Sequence, residues 1–404
     1  MSIVATYLRR ACGAVQFLLL SLALAIAANA QPSGVGLVEK KSFSLPSYTT
    51  VGGATISDLR VGWESYGQLN GTRDNVIVVP HFFTATSHAA GKYKADDPAP
   101  GYWDSIIGPG KAIDTNRFFV VSVDSLVNLN TKDPNVVTTG PASINPATGK
   151  PYGMSFPIVT IRDFVQVQKA LLDSLGVRKV HAVIGASMGS MQTLEWSAAY
   201  PDLVERIIPV IGTAEIDAFT IGRLNLWGSA ITLDPNWNSG DYYGRAEPTA
   251  GLALALKMVT LDARANGWAD KAFARKWAAA DRDPIKGFDN KYAIEDTLDR
   301  AALARARTAD ANAFLYLVKA NQLFITGHKD SLEAGLANIK ARALFIPAAS
   351  DLLLPASFSK RAVEILRSQG KRAELVELPG DGGHLDGVLA IAKVGDAIQR
   401  FLAQ

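Results

Sequence analysis

The sequence predicts an α/β fold: a mostly parallel, doubly wound sheet with a helical lid inserted into it. Three observations lead there. Short β-rich runs alternate with helical or loop segments from about residue 37 to 212, and the strand pattern resumes after about 330. Such alternation is what a parallel sheet covered by helices requires. Between 213 and 330 the strand runs disappear, and Ala, Leu, Lys, Arg and Asp dominate. Finally, Gly185-Ala-Ser-Met-Gly189 follows an apolar run and opens a helix-forming one.

The elements follow in order. Residues 75–79 (Asn-Val-Ile-Val-Val) form a buried-strand pattern, and 117–123 form another. Residues 161–175 carry apolar side chains at helical spacing, with Gly176 punctuating the end. Residues 180–184 are the strand before the glycine turn, 188–199 the helix after it, and 206–211 the next strand. The stretch 213–330 reads as the lid; it holds Trp227, Trp237, Trp268 and Trp277, and its mixed charges fit a solvated face. Strand patterns at 343–347 and 374–378 return the chain to the sheet, and a helix over roughly 387–402 closes it.

The first thirty residues differ in character. Arg9 and Arg10 precede an almost wholly apolar run over 14–28, and Ala28-Asn29-Ala30 has the small-residue pattern of a cleavage site. This reads as a secretory signal peptide, too short for a comfortable membrane span, which leaves no stable span after cleavage. The organisation expected is therefore a leader at 1–30, a core at 31–212 and 331–404, and a lid at 213–330. The location expected is secreted or periplasmic. Cys12, the only cysteine, falls in the leader.

With 404 residues, 48% hydrophobic, the chain has ample material for a sizeable core. A net charge of +3 gives no basic footprint for nucleic acid.

The glycine turn carries the chemistry. In a G-x-S-x-G nucleophile elbow the backbone packs so tightly that Gly185 and Gly189 must lack side chains, and Ser187 is lifted above the sheet. The same turn sets the Met188 N–H at a helix N-terminus, where it faces a developing oxyanion. A serine hydroxyl needs a base with a pKa near neutrality. Of five histidines, His384 lies in a glycine-rich loop after a strand and before the last helix, where chain order Ser…Asp…His puts it. His181 lies inside a strand run and His328 in a connection. The acid expected to orient His384 is Asp351, just after a strand; Asp381 and Asp386 compete by proximity in sequence. A second oxyanion donor belongs in the loop after 75–79, and the Phe83 N–H is chosen. His81 and His88 flank it, but with no Cys or acidic partner at ligand spacing no metal is expected, and no cofactor either. The substrate class implied is a small-molecule acyl compound.

These residues also resemble a known family. Gly185-Ala-Ser-Met-Gly-Ser-Met-Gln-Thr-Leu-Glu-Trp196 is similar to the elbow of homoserine O-acetyltransferases, within the α/β-hydrolase superfamily. The likeness continues in the Tyr102–Thr115, Gly140–Gly153 and Phe156–Asp163 strings and in Gly240-Asp-Tyr-Tyr243. The resemblance implies an α/β-hydrolase fold, the triad Ser187, Asp351 and His384, an oxyanion hole of the Phe83 and Met188 amides, and a homodimer through the lid.

Three departures shape the functional expectation. The aspartate that follows the family histidine is Leu385 here, with Asp386 one place later. The lid arginine that grips the substrate carboxylate matches Gly228, with Arg223 nearby but out of register; Arg223 and Asp386 are the candidate substrate contacts. And an exported enzyme meets little acyl-CoA. The function expected is thus an exported serine hydrolase acting on an ester or related acyl substrate through an acyl-enzyme on Ser187. The alternative is a homoserine or serine O-acetyltransferase using acyl-CoA. A third reading is a binding protein that uses the lidded pocket without chemistry.

Overall fold

The computed structural model describes residues 34–404; the leader expected at 1–30 lies outside them. Eight strands form one sheet: β1 (Lys41–Thr49), β2 (Thr55–Tyr66), β3 (Val76–Val78), β4 (Phe119–Val123), β5 (Val180–Ala186), β6 (Arg206–Val210), β7 (Arg342–Phe345) and β8 (Ala373–Leu375). Their order is β1-β2-β4-β3-β5-β6-β7-β8. The β1/β2 and β2/β4 pairs are antiparallel; every other pair is parallel.

The central strands are short, and their side chains are buried on both faces. Along β5, Val183 points into one core, whereas its alternating neighbours Ala182, Ile184 and Ala186 point into the other. The two cores sit on opposite faces of the sheet, as the period-two geometry of a strand dictates. Helix α1 (Ile161–Ser174) opens with a capping box: the Thr160 side chain accepts from the Asp163 N–H, and the Asp163 carboxylate accepts from the Thr160 N–H. Helix α2 (Met188–Ala199) is buried on all sides, so it packs under the sheet's centre rather than at the surface.

Between β6 and β7 the chain builds α3 (Ala218–Thr232), α4 (Thr249–Asp262), α5 (Asn266–Ala272), α6 (Ala293–Ala306), α7 (Ala311–Gln322) and α8 (Leu332–Ala337). The Tyr242–Tyr243 pair serves this region structurally. Both hydroxyls donate to the buried Asp310 carboxylate, at 2.6 and 3.1 Å. Helix α9 (Ala356–Ser368) then lies between β7 and β8.

Two elements differ from the sequence reading. The β1–β2 hairpin, closed by a turn with Gly53 at φ +86°, extends the sheet with a long antiparallel pair. The single closing helix expected over 387–402 is instead broken into α10 (Asp386–Leu389), a 3₁₀ turn (Ile391–Val394) and α11 (Gly395–Ala403). At the break, Trp103 Nε1 donates to the Gly387 carbonyl at 3.1 Å, tying the segment to the loop before β4.

Candidate active site

Ser187 sits between β5 and α2 with φ 55° and ψ −121°, outside the regions an L-residue ordinarily occupies. Its N–H donates to the Val210 carbonyl of β6 at 2.9 Å, which ties the strained residue to the neighbouring strand. The glycines are sterically required. A Cβ on Gly185 would lie 2.4 Å from the Gly189 carbonyl oxygen, and one on Gly189 would lie 2.3 Å from the Pro80 carbonyl oxygen. Met188 is the first residue of α2, so its N–H has no acceptor within the helix.

Three loops converge on this serine. The Ser187 hydroxyl donates to His384 Nε2 at 2.8 Å, and His384 Nδ1–H donates to Asp351 Oδ2 at 2.7 Å. The carboxylate accepts only, so Nδ1 carries the imidazole proton and Nε2 is free to receive one. The other Asp351 oxygen accepts the N–H groups of Leu353 and Leu354 at 2.9 and 3.0 Å. Asp351 and His384 are both buried, so the pair works away from bulk water, where charge interactions are strong. The loop after β8 is also fastened: Gly383 N–H donates to Ser350 Oγ at 3.0 Å, and Leu385 N–H donates to the Ala263 carbonyl at the end of α4 at 3.1 Å.

Asp381 and Asp386, the competing acids, do other work. Asp381 pairs with Lys271 at the surface. Asp386 Oδ2 accepts the Gly382 N–H at 2.9 Å and braces the glycine loop. Arg223 donates to the Leu352 carbonyl at 3.0 Å, docking α3 onto the loop beyond Asp351. Neither Asp386 nor Arg223 lines the cavity at Ser187. Gly228 faces Leu315 of α7, with no room to spare: a Cβ there would lie 3.2 Å from the Leu315 side chain.

The cavity beside Ser187 is walled by Phe83, Met191, Leu224, Trp227, Leu354 and Leu385, among others, and encloses about 70 Å³. One water needs about 10–15 Å³ by that measure, so the space suits a handful of heavy atoms. Phe83 is packed edge-on against Phe314 (5.1 Å between ring centres) and Trp227 (6.0 Å). Among the described residues, no lysine, arginine or carboxylate side chain lines the cavity.

Several lining residues escaped sequence reasoning: Asn321, Thr84, Thr220 and Trp227. Only the tryptophan left a signal, as one of four in the lid. His81 and His88 do not approach each other's ligand geometry. His88 Nδ1 lies 3.0 Å from buried Glu64, whereas His81 is engaged with the loop that carries Phe83.

Comparison with known proteins follows this geometry. Residues 99–389 match the family model described as alpha/beta hydrolase fold. The chain is 40% identical to a homoserine O-acetyltransferase of Symbiobacterium thermophilum, over 87% of this chain and 91% of that one. It is 36% identical to a homoserine O-acetyltransferase of Deferribacter desulfuricans, over 92% and 97%. The chain belongs to the homoserine O-acetyltransferase-like family of α/β-hydrolase-fold enzymes. Among solved structures, the homoserine O-acetyltransferase of Bacillus anthracis is similar with a TM-score of 0.87 and 39% identity, over 91% of this chain and 98% of that one. Esterase E22 is similar with the same TM-score, 0.87, and 52% identity, over 91% of this chain and all of that one.

The homoserine O-acetyltransferases among these relatives, matched across most of the chain, correct the expectation of an exported ester hydrolase. The physical reason is that hydrolysis and transfer share one acyl-enzyme and differ in what attacks it. Leu385 lines the cavity at Ser187, whereas Gly228 packs against Leu315 of α7. Neither touches the Ser187–His384–Asp351 geometry, and the leader lies outside the described residues.

Proposed function

We propose that this protein is an acyltransferase that moves an acetyl group from acetyl-CoA to the side-chain hydroxyl of L-homoserine. The observation that carries the reading is the similarity to homoserine O-acetyltransferases at 36–40% identity over 87–92% of the chain. Ser187 is the nucleophile, His384 the general base, and Asp351 holds the imidazole. Ser187 Oγ forms a bond to the thioester carbonyl carbon as its proton passes to His384 Nε2. The carbon–sulfur bond breaks, and His384 returns the proton to the departing thiolate. The homoserine hydroxyl then attacks the acetyl-enzyme, giving its proton to His384, which passes it to Ser187 Oγ as that oxygen leaves. Phe83 and Met188 N–H groups hold the oxyanion in both halves. The small apolar cavity supports a short acyl group.

The test is direct. Purified protein with acetyl-CoA and L-homoserine is expected to release CoA beyond a single equivalent per enzyme only when homoserine is present, with O-acetylhomoserine accumulating in matching amount by mass spectrometry. CoA release at the same rate without homoserine overturns the reading. We further propose a homodimer through the exposed apolar face of α3, where Phe219 is 72%, Leu226 63% and Leu233 beyond it 80% exposed.

A further inference from the structure

His81 is 1% exposed, and both of its ring nitrogens are committed. Nδ1–H donates to the carbonyl oxygen of Phe82 at 2.8 Å. Nε2 faces the backbone N–H of Ser125 at 2.9 Å and Nδ2 of Asn128 at 3.2 Å. The asparagine's orientation is itself fixed: its Oδ1 accepts the Asn130 N–H at 2.9 Å, and its Nδ2 also donates to the Ala85 carbonyl at 3.1 Å. Both neighbours of Nε2 are therefore donors. A bare Nε2 and a protonated Nδ1 is the arrangement that satisfies all of them.

The acceptor of that Nδ1–H matters. The Phe82 carbonyl and the Phe83 N–H belong to one peptide unit. That unit is trans, as no cis bond occurs among the described residues. In a planar trans peptide the C=O and N–H point in opposite directions, so fixing one fixes the other. We propose that His81 is a positioning residue: as a neutral Nδ1–H imidazole it holds the Phe82 carbonyl and thereby aims the Phe83 N–H at the oxyanion site. This rests on the reading of Phe83 as an oxyanion donor.

The rest of the surroundings serves the same end. Gln192 of α2 donates from Nε2 to the His81 carbonyl at 3.2 Å, which joins the loop to the helix that starts at Met188. Asn130 donates to the Thr84 carbonyl at 3.2 Å. Asn128 and Asn130 thus fasten the loop on the far side of Phe83, and His81 fastens the peptide that leads into it. The two oxyanion donors, on separate loops, are locked together by side-chain amides and one imidazole. Burial pushes the His81 pKa down, with nearby Asp124 opposing, which is consistent with a neutral ring.

The test reads acylation of Ser187 by p-nitrophenyl acetate in a stopped-flow burst, which precedes and does not depend on the acceptor. An asparagine presents its N–H near the Nδ1 position; a glutamine presents its amide near Nε2. His81→Asn is expected to acylate within about 5-fold of wild type. His81→Gln is expected to fall on the order of 10²-fold in burst rate at saturating ester, with the half-saturating ester concentration unchanged, the scale of losing an oxyanion donor. Equal acylation rates for His81→Gln and wild type, or for the two variants, overturn the proposal. Wild type that releases no p-nitrophenolate overturns the nucleophile reading as well, so the two failures are distinguishable. Should a variant fail to fold, ¹⁵N NMR of the wild-type imidazoles decides: a His81 proton on Nδ1 is expected, and one on Nε2 sinks the idea.

Discussion

The sheet side and the helical side of the cavity meet at Ser187 but are held by different means. On the sheet side Ser187, Asp351 and His384 are each tied within a few residues to a strand end. Ser187 bonds to β6, Asp351 receives two amides of its own loop, and His384 sits in a loop pinned to Ser350. On the helical side, α3 and α4 are attached by scattered contacts: Arg223 to the Leu352 carbonyl, and Ala263 to the Leu385 N–H. Large apolar side chains there remain exposed. Chemistry is thus set by short-range backbone geometry, whereas the shape that selects an acceptor is set by long-range packing of helices.

Substitutions break or sharpen that contrast. The largest effect belongs to the sheet side. Ser187→Ala is expected to lower acyl transfer by about 10⁴-fold or more, and Asp351→Asn by about 10⁴-fold, with the fold retained by circular dichroism. A smaller loss in the serine variant contradicts a serine-based acyl-enzyme. Gly185→Ala comes next. Its Cβ has only 2.4 Å to the Gly189 carbonyl, so the elbow must shift. Overpacking of this kind costs about 1–3 kcal/mol, measurable by urea unfolding. An unchanged midpoint breaks the claim that the turn is sterically locked.

The pH dependence of stability probes the locking of the oxyanion loop. Burial lowers the pKa of His81 and, to a lesser burial, of His181. Below their ordinary value of 6.5 the unfolded chain binds protons that the folded one refuses. Stability is therefore unaffected by these groups above about pH 6.5 and falls as pH drops below it, at up to about 1.4 kcal/mol per pH unit for a fully buried histidine. Thermal melts between about pH 7.5 and 5 are expected to show this slope, and His81→Asn to flatten it. A slope unchanged in the variant assigns it elsewhere. The smallest effect belongs to the helical side. Leu226→Glu on α3 is expected to leave acylation of Ser187 within about 2-fold while lowering the mass seen by light scattering to that of one chain. Retention of a dimer moves the interface away from this face.

The legibility of the molecule in its sequence follows the same division. The elbow was readable because strand, turn and helix are contiguous and the two glycines admit no side chain. The hydrogen-bonded grouping of Ser187, His384 and Asp351 could be anticipated because chain order on this fold places Asp351 and His384 after successive strands. The β1–β2 hairpin was passed over although it carried a signal: Phe43 and Leu45 alternate with Ser42 and Ser44 before Val51-Gly-Gly53. The broken final segment carries a contact to Trp103, 284 residues from Gly387, that no local pattern reveals. His81 has the same character. Its sequence neighbourhood offered only a second histidine, whereas its role depends on Ser125 and Asn128, brought to it by β4. The choice of acceptor was least legible. Leu385 and Gly228 argued against homoserine, but only Leu385 lines the cavity at Ser187, and Gly228 packs against Leu315 of α7.

That choice is also what a single measurement addresses. With acetyl-CoA as donor and L-homoserine as acceptor, the partition of the acetyl group between O-acetylhomoserine and free acetate is read by mass spectrometry. The proposed function predicts that O-acetylhomoserine dominates and that acetate is a minor product. Acetate as the main product, undiminished as homoserine is raised, would contradict it.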